Sequence, residues 1–311
     1  MIKTYFINGF LDSGKTTFIK ELLGQNYFKT KEKTLLILCE DGEEEYELDM
    51  LEEDNIFIKK IGAEKFFSAD NITRIEREIH PTRVIVEYNG MWKRNDLVFP
   101  WYWDKPIEIA VFNAEIFEVY EKNMKSQIAN QIRYADMAIF NRCDSVIDKL
   151  SIFKRQIKAV TPEIKVVFNG EKRELDIRSD EDLPYDINSN EISLTDDTYA
   201  VFYLDVMENV KKYLGKMVNL TGKIMRMSEE YPEMWIIGRF ALTCCSEDLS
   251  LFGFICESVC AESDAKVGDW VNIRAYIDKD YAKKLNISYP VLNIVSCEKC
   301  QVPEREIVNI Y

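Results

Sequence analysis

A single histidine, His80, is all that the chain offers toward imidazole chemistry, and it stands directly before Pro81. One isolated His supports no nucleophile–base–acid triad, so His80 reads as a loop residue rather than a ligand or base. Long apolar runs are also missing: none approaches the roughly 18 residues of a membrane span. The first residues, Met1-Ile2-Lys3-Thr4, run into a strand-like segment without signal-peptide architecture, so a cytoplasmic protein is expected. Positive charge is in deficit. The formal net charge of -14 argues against nonspecific nucleic-acid binding, which needs a broad basic face. It leaves room for a nucleotide, because a phosphate site is built locally from backbone donors and one or two cations.

What is present suits a folded soluble protein. Of 311 residues, 47% are hydrophobic and 30% charged, enough to bury the core of one large or two ordinary domains. Eight cysteines without a secretion signal suggest reduced thiols or metal ligands rather than a disulfide framework.

Residues 1–170 alternate short apolar runs with amphipathic helical patterns. Strands are expected at Thr4–Asn8, Thr34–Cys39, Arg83–Glu87, Ile107–Phe112, Met137–Asn141 and Lys165–Phe168, with helices such as Lys15–Leu23 and Asn71–Ile79 between them. That alternation is the mark of an α/β domain with a mostly parallel sheet covered on both faces. Residues 171–198 are polar and acidic and read as a linker with room for one short strand. Residues 199–311 follow as a second, β-rich domain. It has a helix around Val206–Leu214 and strands at Met217–Met225, Trp235–Thr243, Leu251–Cys256, Trp270–Ile277 and Ile287–Val295. Several strands in about 100 residues suggest a small barrel or an open sheet.

The decisive motif is Gly9-Phe10-Leu11-Asp12-Ser13-Gly14-Lys15-Thr16, a complete G-x-x-x-x-G-K-[ST] phosphate-binding loop. Its glycines let the backbone curl so that successive N–H groups, from Gly9 through Ser13 and Gly14 to Thr17, point at phosphate oxygens. The helix that follows adds its positive end. Lys15 is expected to reach the β- and γ-phosphates, and the Thr16 hydroxyl to ligate Mg2+. Asp12 is unusual in such a cradle, where a carboxylate would repel triphosphate unless it points outward.

Two further motifs complete the expected site. In Val84-Ile85-Val86-Glu87-Tyr88-Asn89-Gly90 an apolar strand ends in an acid. Glu87 would hold magnesium or orient the attacking water, and Gly90 would allow close approach near the γ-phosphate. In Ala138-Ile139-Phe140-Asn141-Arg142-Cys143-Asp144 a carboxylate follows a strand. It can accept from guanine N1–H and the N2 amino group together, a donor pair that adenine lacks. Asp144 would read the base, Asn141 brace the loop, and Arg142 lie along the ring. Between the motifs, Glu40-Asp41-Gly42-Glu43-Glu44-Glu45-Tyr46-Glu47 follows the second strand. Glu40 or Asp41 would approach the magnesium shell, while Glu43–Glu47 reads as a solvated helix face. The aromatic run Val98-Phe99-Pro100-Trp101-Tyr102-Trp103 either caps the sheet or offers a nucleotide-sensitive docking surface.

GFLDSGKTT is similar to the GFLGSGKTT of the CobW-type GTPases, relatives of the UreG and HypB metallochaperones. Glu87-Tyr88-Asn89-Gly90 resembles their E-x-x-G element, and Gln131 through Asp144 resembles their Q-x-x-x-A-D…N-K-x-D segment. The resemblance covers about residues 1–170. It implies GTP and magnesium binding, slow intrinsic hydrolysis, delivery of a metal to a client, and the dimerisation common in such proteins. Two departures stand out. Arg142 replaces the usual Lys, and the family's C-x-C-C motif has no cysteine where it belongs, around Ile61-Gly62-Ala63-Glu64-Lys65-Phe66.

Six cysteines fall in the second domain: Cys244, Cys245, Cys256, Cys260, Cys297 and Cys300. Cys297-Glu298-Lys299-Cys300 has the spacing of a zinc half-site, which Cys244 or Cys245 with Cys256 or Cys260 would complete. The alternative is small buried thiols. Gly238 through Ile255 and Gly268-Asp269-Trp270-Val271 resemble the soluble subunits of a bacterial permease pair, which implies work beside a membrane transport component.

The expected protein is thus a Mg2+-dependent GTP-binding protein with slow GTPase activity, linked to Zn2+ or another metal or to a permease. Two rival readings stand beside it. One is a nucleotide-gated docking module with little turnover; the other is an ATP-using P-loop enzyme in which Asn141–Asp144 is coincidental.

Overall fold

The structure is a computed structural model that describes residues 1–40, 42, 46, 55–171, 174–175, 183–226, 235–242, 249–256, 265–278 and 289–309. The chain divides into two compact units, Met1–Ile157 with Glu163–Ile177, and Lys158–Pro162 with Arg178–Tyr311.

The first unit contains β1 (Lys3–Asn8), α1 (Lys15–Gly24), β2 (Thr34–Leu38), β3 (Ile56–Lys60), α2 (Ala69–Ile79), β4 (Arg83–Glu87), β5 (Ile107–Asn113), α3 (Ala114–Asn123), α4 (Lys125–Ile132), β6 (Met137–Asn141), α5 (Leu150–Val160, shared with the second unit) and β7 (Lys165–Phe168). Its strands form one parallel sheet in the order β3-β2-β4-β1-β5-β6-β7. Both faces are buried. Tyr5, Ile7, Leu36, Ile85 and Val111 pack on one side, and Phe6, Leu35, Ile37, Val84 and Val86 on the other. A parallel sheet covered on both faces needs near-continuous apolar strands, which explains the runs Leu35–Ile37 and Val84–Val86.

Local chemistry sets the helix ends. Ser68 caps α2 by accepting from the Asn71 N–H at 3.3 Å, a contact worth about 1 kcal/mol. His80 closes that helix in the left-handed region at φ 56, which makes it a cap residue.

Strand β3 was not expected. It is a sheet edge with only Ile56 buried, and its Lys59 and Lys60 suit an exposed edge rather than a core run.

The second unit contains β8 (Glu191–Ser193), α6 (Tyr199–Asn209), β9 (Met217–Arg226), β10 (Trp235–Leu242), β11 (Leu249–Cys256), β12 (Trp270–Asp278), β13 (Val291–Lys299) and β14 (Ile307–Val308). The order is β14-β10-β11-β13-β12-β9-β8, and β9 also pairs with β10. Strands β9, β10, β11, β13 and β12 therefore close on themselves into a five-stranded barrel with the strand order of an OB-fold. Within 171–198, β8 runs parallel to β9, and Leu194 N–H donates to Asn219 O at 2.9 Å.

Two expected elements shift. The helix expected at Val206–Leu214 is α6, which starts at Tyr199 and gives way to a short 3-10 turn at Val210–Lys212. Every residue of α6 from Tyr199 to Val206 is buried, so it shows no amphipathic stripe to read. The last long strand spans Val291–Lys299 rather than Ile287–Val295; residues 287 and 288 lie outside the described residues. Among the described residues no helix is long and apolar enough to cross a membrane.

Candidate nucleotide and magnesium site

Strands β2 to β4 build one half of the parallel sheet and β5 to β7 the other, so the strand order reverses beside β1. Ligands of open α/β sheets bind at the carboxyl ends of strands at such a point. The loop 9–16 leaves β1 there and enters α1. Gly14 caps α1 at φ 92, and a Cβ on it would stand 2.7 Å from Asn141 Nδ2. Only glycine meets both conditions, a left-handed backbone and a side-chain amide against it.

Register places the acid. Ile7 and Leu38 both pair with Glu87 across β4, so the end of that strand lies level with the ends of β1 and β2. Glu87 is buried, with Thr16 Oγ1 donating to its Oε1 at 2.6 Å and Tyr46 Oη donating to Oε2 at 2.6 Å. Hydroxyl and carboxylate oxygens brought together at the start of α1 are the hard donors that Mg2+ takes. Gly90, three residues on, donates its N–H to Gly9 O at 3.1 Å, while its own carbonyl accepts from Gln131 Nε2 at 3.0 Å.

Lys15 is buried in the loop. Its Nζ donates to Gly9 O at 2.9 Å and Phe10 O at 2.7 Å, and pairs with the Glu40 carboxylate. Burial pushes the Glu40 carboxyl above its ordinary range against the pull of Lys15, and Glu87 and Asp12 add to the rise. A cavity of about 240 Å³ opens here, lined by Asp12, Gly14, Lys15, Thr16, Thr17, Glu40, Glu87 and Arg142 among others. Asp12 is exposed and left-handed at φ 59, and Arg142 likewise at φ 58. Ser13 contributes its carbonyl, which accepts from Asn141 Nδ2 at 3.3 Å. That bond ties the end of β6 to the phosphate loop.

Asn141 and Asp144 are not part of the cavity lining. Asp144 opens the 3-10 turn Asp144–Lys149, and its Oδ2 accepts the Glu171 N–H at 2.7 Å. The carboxylate is exposed, past the end of the sheet.

Two residues beside the cavity stand out from the acidic run. Glu40 contacts Lys15. Tyr46, read from sequence as part of a solvated face, instead holds Glu87. Asp41, Glu43–Glu45 and Glu47 lie outside the described residues. The aromatic run splits its roles. Trp103 is buried and donates to Glu76 Oε1 at 2.7 Å, whereas Trp101 is 92% exposed.

The cysteine reading needs correction. Cys297 is disulfide-bonded, so its sulfur is taken and it cannot serve with Cys300 as a thiolate half-site. At Cys297 this departs from the expectation of reduced thiols or metal ligands. Cys300 and Cys256 are free, and burial raises both thiols, Cys256 to about 12. Cys244, Cys245 and Cys260 lie outside the described residues. Among the described residues no group of three or more His, Cys, Asp or Glu is placed to hold a metal ion.

A parallel α/β sheet carrying this loop and acid defines a P-loop nucleotide-binding protein. Residues 3–168 match the CobW/HypB/UreG nucleotide-binding domain, and the chain belongs to that family. Residues 170–309 match the DUF1980 C-terminal domain. Among solved structures it is similar to the hydrogenase maturation factor HypB of Archaeoglobus fulgidus, at 18% identity over 55% of this chain and 82% of that one, with a TM-score of 0.41. HypB of Helicobacter pylori in complex with nickel is 12% identical over 67% of this chain and 88% of that one, with a TM-score of 0.35. A zinc-bound triple mutant of the YjiA GTPase is 10% identical over 98% of this chain and 91% of that one, with a TM-score of 0.42. No curated protein matches the chain.

Proposed function

We propose that the chain is a cytoplasmic, Mg2+-dependent GTP-binding protein with slow GTPase activity. Its nucleotide state would govern metal handling or a membrane permease partner. The observation that carries the reading is the meeting of Thr16 and Glu87, 2.6 Å apart, beside a buried Lys15 at the sheet's strand reversal.

Thr16 Oγ1 and Glu87 would hold the metal, and the backbone of the loop 9–16 with Lys15 would cradle the phosphates. Bound Mg2+ would supply charge neutralisation on the phosphate oxygens. Asp144 would accept from the guanine edge, and Arg142 would lie along the ring. The Asn141 bridge to Ser13 O supports a fixed distance between the base-reading and phosphate-holding loops. What surrounds the acid supports slow turnover. Gln131, beside Gly90, is buried with its amide N–H tied to a backbone carbonyl, which leaves it poorly placed to orient water.

Family membership supports the metal-handling arm, and the resemblance read from the sequence of Gly238 through Ile255 supports the permease arm. Phosphate release from GTP and ATP, measured across a magnesium titration, tests the enzymatic reading. Slow, magnesium-dependent release from GTP that is suppressed by Glu87→Gln is expected. Equal release from ATP, or release indifferent to magnesium, would contradict it. Adding Zn2+ or Ni2+ to the same assay addresses metal coupling, with stimulation expected if metal handling is the task.

A further inference from the structure

An ammonium group has three protons, and Lys15 has three acceptors: Gly9 O, Phe10 O and the Glu40 carboxylate. With that set in place, Lys15 has no donor left for a phosphate. Two of the acceptors belong to the phosphate loop itself. The third, Glu40, comes from the segment after β2 and is the exchangeable one. Both side chains are nearly dry, at 2% exposure for Lys15 and 9% for Glu40, so the pair fills the cation's position rather than decorating the rim.

We propose that Glu40 is a built-in competitor for the phosphates, a tethered anion that occupies Lys15 until nucleotide displaces it. The inference rests on the nucleotide reading of the same cavity and deepens it by naming what nucleotide must displace from Lys15. The charge arrangement fits an exchange. Asp12 and Glu87 also line the cavity, so Glu40 already sits among like charges, and an arriving polyphosphate adds to the repulsion on it. A second contact lies beside it, since Tyr46 Oη donates to Glu87 Oε2 at 2.6 Å. Glu40 and Tyr46 thus hold the phosphate cation and the metal-site acid respectively. Nucleotide with magnesium would replace Glu40 at Lys15 and recruit Glu87.

A plain metal-shell role for Glu40 makes the opposite prediction, and the two are separable. The probe is GDP carrying an N-methylanthraniloyl fluorophore, bound to the full chain in EDTA and again in excess Mg2+. Removing the competing charge in Glu40→Gln should tighten binding in EDTA by about tenfold, chiefly through faster association. Tyr46→Phe should raise the association rate by a smaller factor. Glu40→Ala, with its melting temperature recorded, guards against an effect peculiar to glutamine. Unchanged or weaker binding of both Glu40 variants in EDTA would overturn the proposal, as would weakening seen only in Mg2+, which would assign Glu40 to the metal shell. The nucleotide reading has its own control. If wild type binds no better than Lys15→Ala, that reading fails and this inference falls with it.

Discussion

Lys15 shows how much one side chain must do at the residue scale. It is buried, charged and ringed by acceptors, so its removal deletes the cavity's central cation. Lys15→Ala should lower triphosphate affinity by about a hundredfold or more, as read by titration calorimetry. Gly90 is as exacting for a different reason. A Cβ there would stand 2.4 Å from Gly9 O, a contact that backbone cannot yield cheaply, and 2.6 Å from Gln131 Nε2. Gly90→Ala should destabilise the first unit by about 1–3 kcal/mol in urea melts and lower nucleotide affinity. Both residues were legible in the sequence, because a phosphate loop and an acid-to-glycine turn are short motifs with fixed spacing. Tyr46 was not. Surrounded by glutamates, it shares their polar pattern, and only the fold brings it to Glu87.

Between the acid and the next strand, the stretch 91–103 is anchored by a buried ion pair. Arg94 donates through Nε to Glu108 Oε2 at 2.8 Å, and its guanidinium lies 4.8 Å from the Phe99 ring centroid and 4.6 Å from that of Tyr134. Glu108→Ala would leave that guanidinium buried and unpaired, at a cost of about 3–5 kcal/mol by chemical denaturation. Arg94→Met with Glu108→Leu should recover much of the loss, because an apolar pair carries no charge to desolvate. In the second unit β8 is held by exposed charge instead. Arg274 and Asn219 lower the Glu191 carboxyl, and Lys299 lowers Asp269. A lowered folded value means stability present above the ordinary carboxylate range and lost as pH falls toward the lowered values. The second unit should therefore weaken in acid, and Glu191→Gln should blunt that slope when melts are compared across pH. Elements were readable where they carry a period or a continuous apolar run, as β1 and β4 do. They were missed where burial is complete, as in α6, or where an edge strand ends in lysines, as in β3.

At the scale of the whole molecule, each of the two compact units has its own core. GTP with magnesium should stabilise the first unit, by about 2.7 kcal/mol at a hundredfold excess over Kd. The composition prepared for this architecture only in part. The α/β half follows from alternating strands and helices around a motif. The barrel's closure depends on β9 pairing with both β10 and β12, a long-range match that no local pattern reveals. The disulfide at Cys297 is hidden for the same reason, since thiol partners are chosen by space and not by spacing.

The central claim is a guanine-selective P-loop site, and calorimetric titration of the purified full chain with GTP and with ATP, in magnesium, tests it most directly. The account predicts a clear preference for GTP that Asp144→Ala abolishes while phosphate-dependent binding persists. Equal or tighter binding of ATP, or a preference for GTP that survives Asp144→Ala, would contradict it.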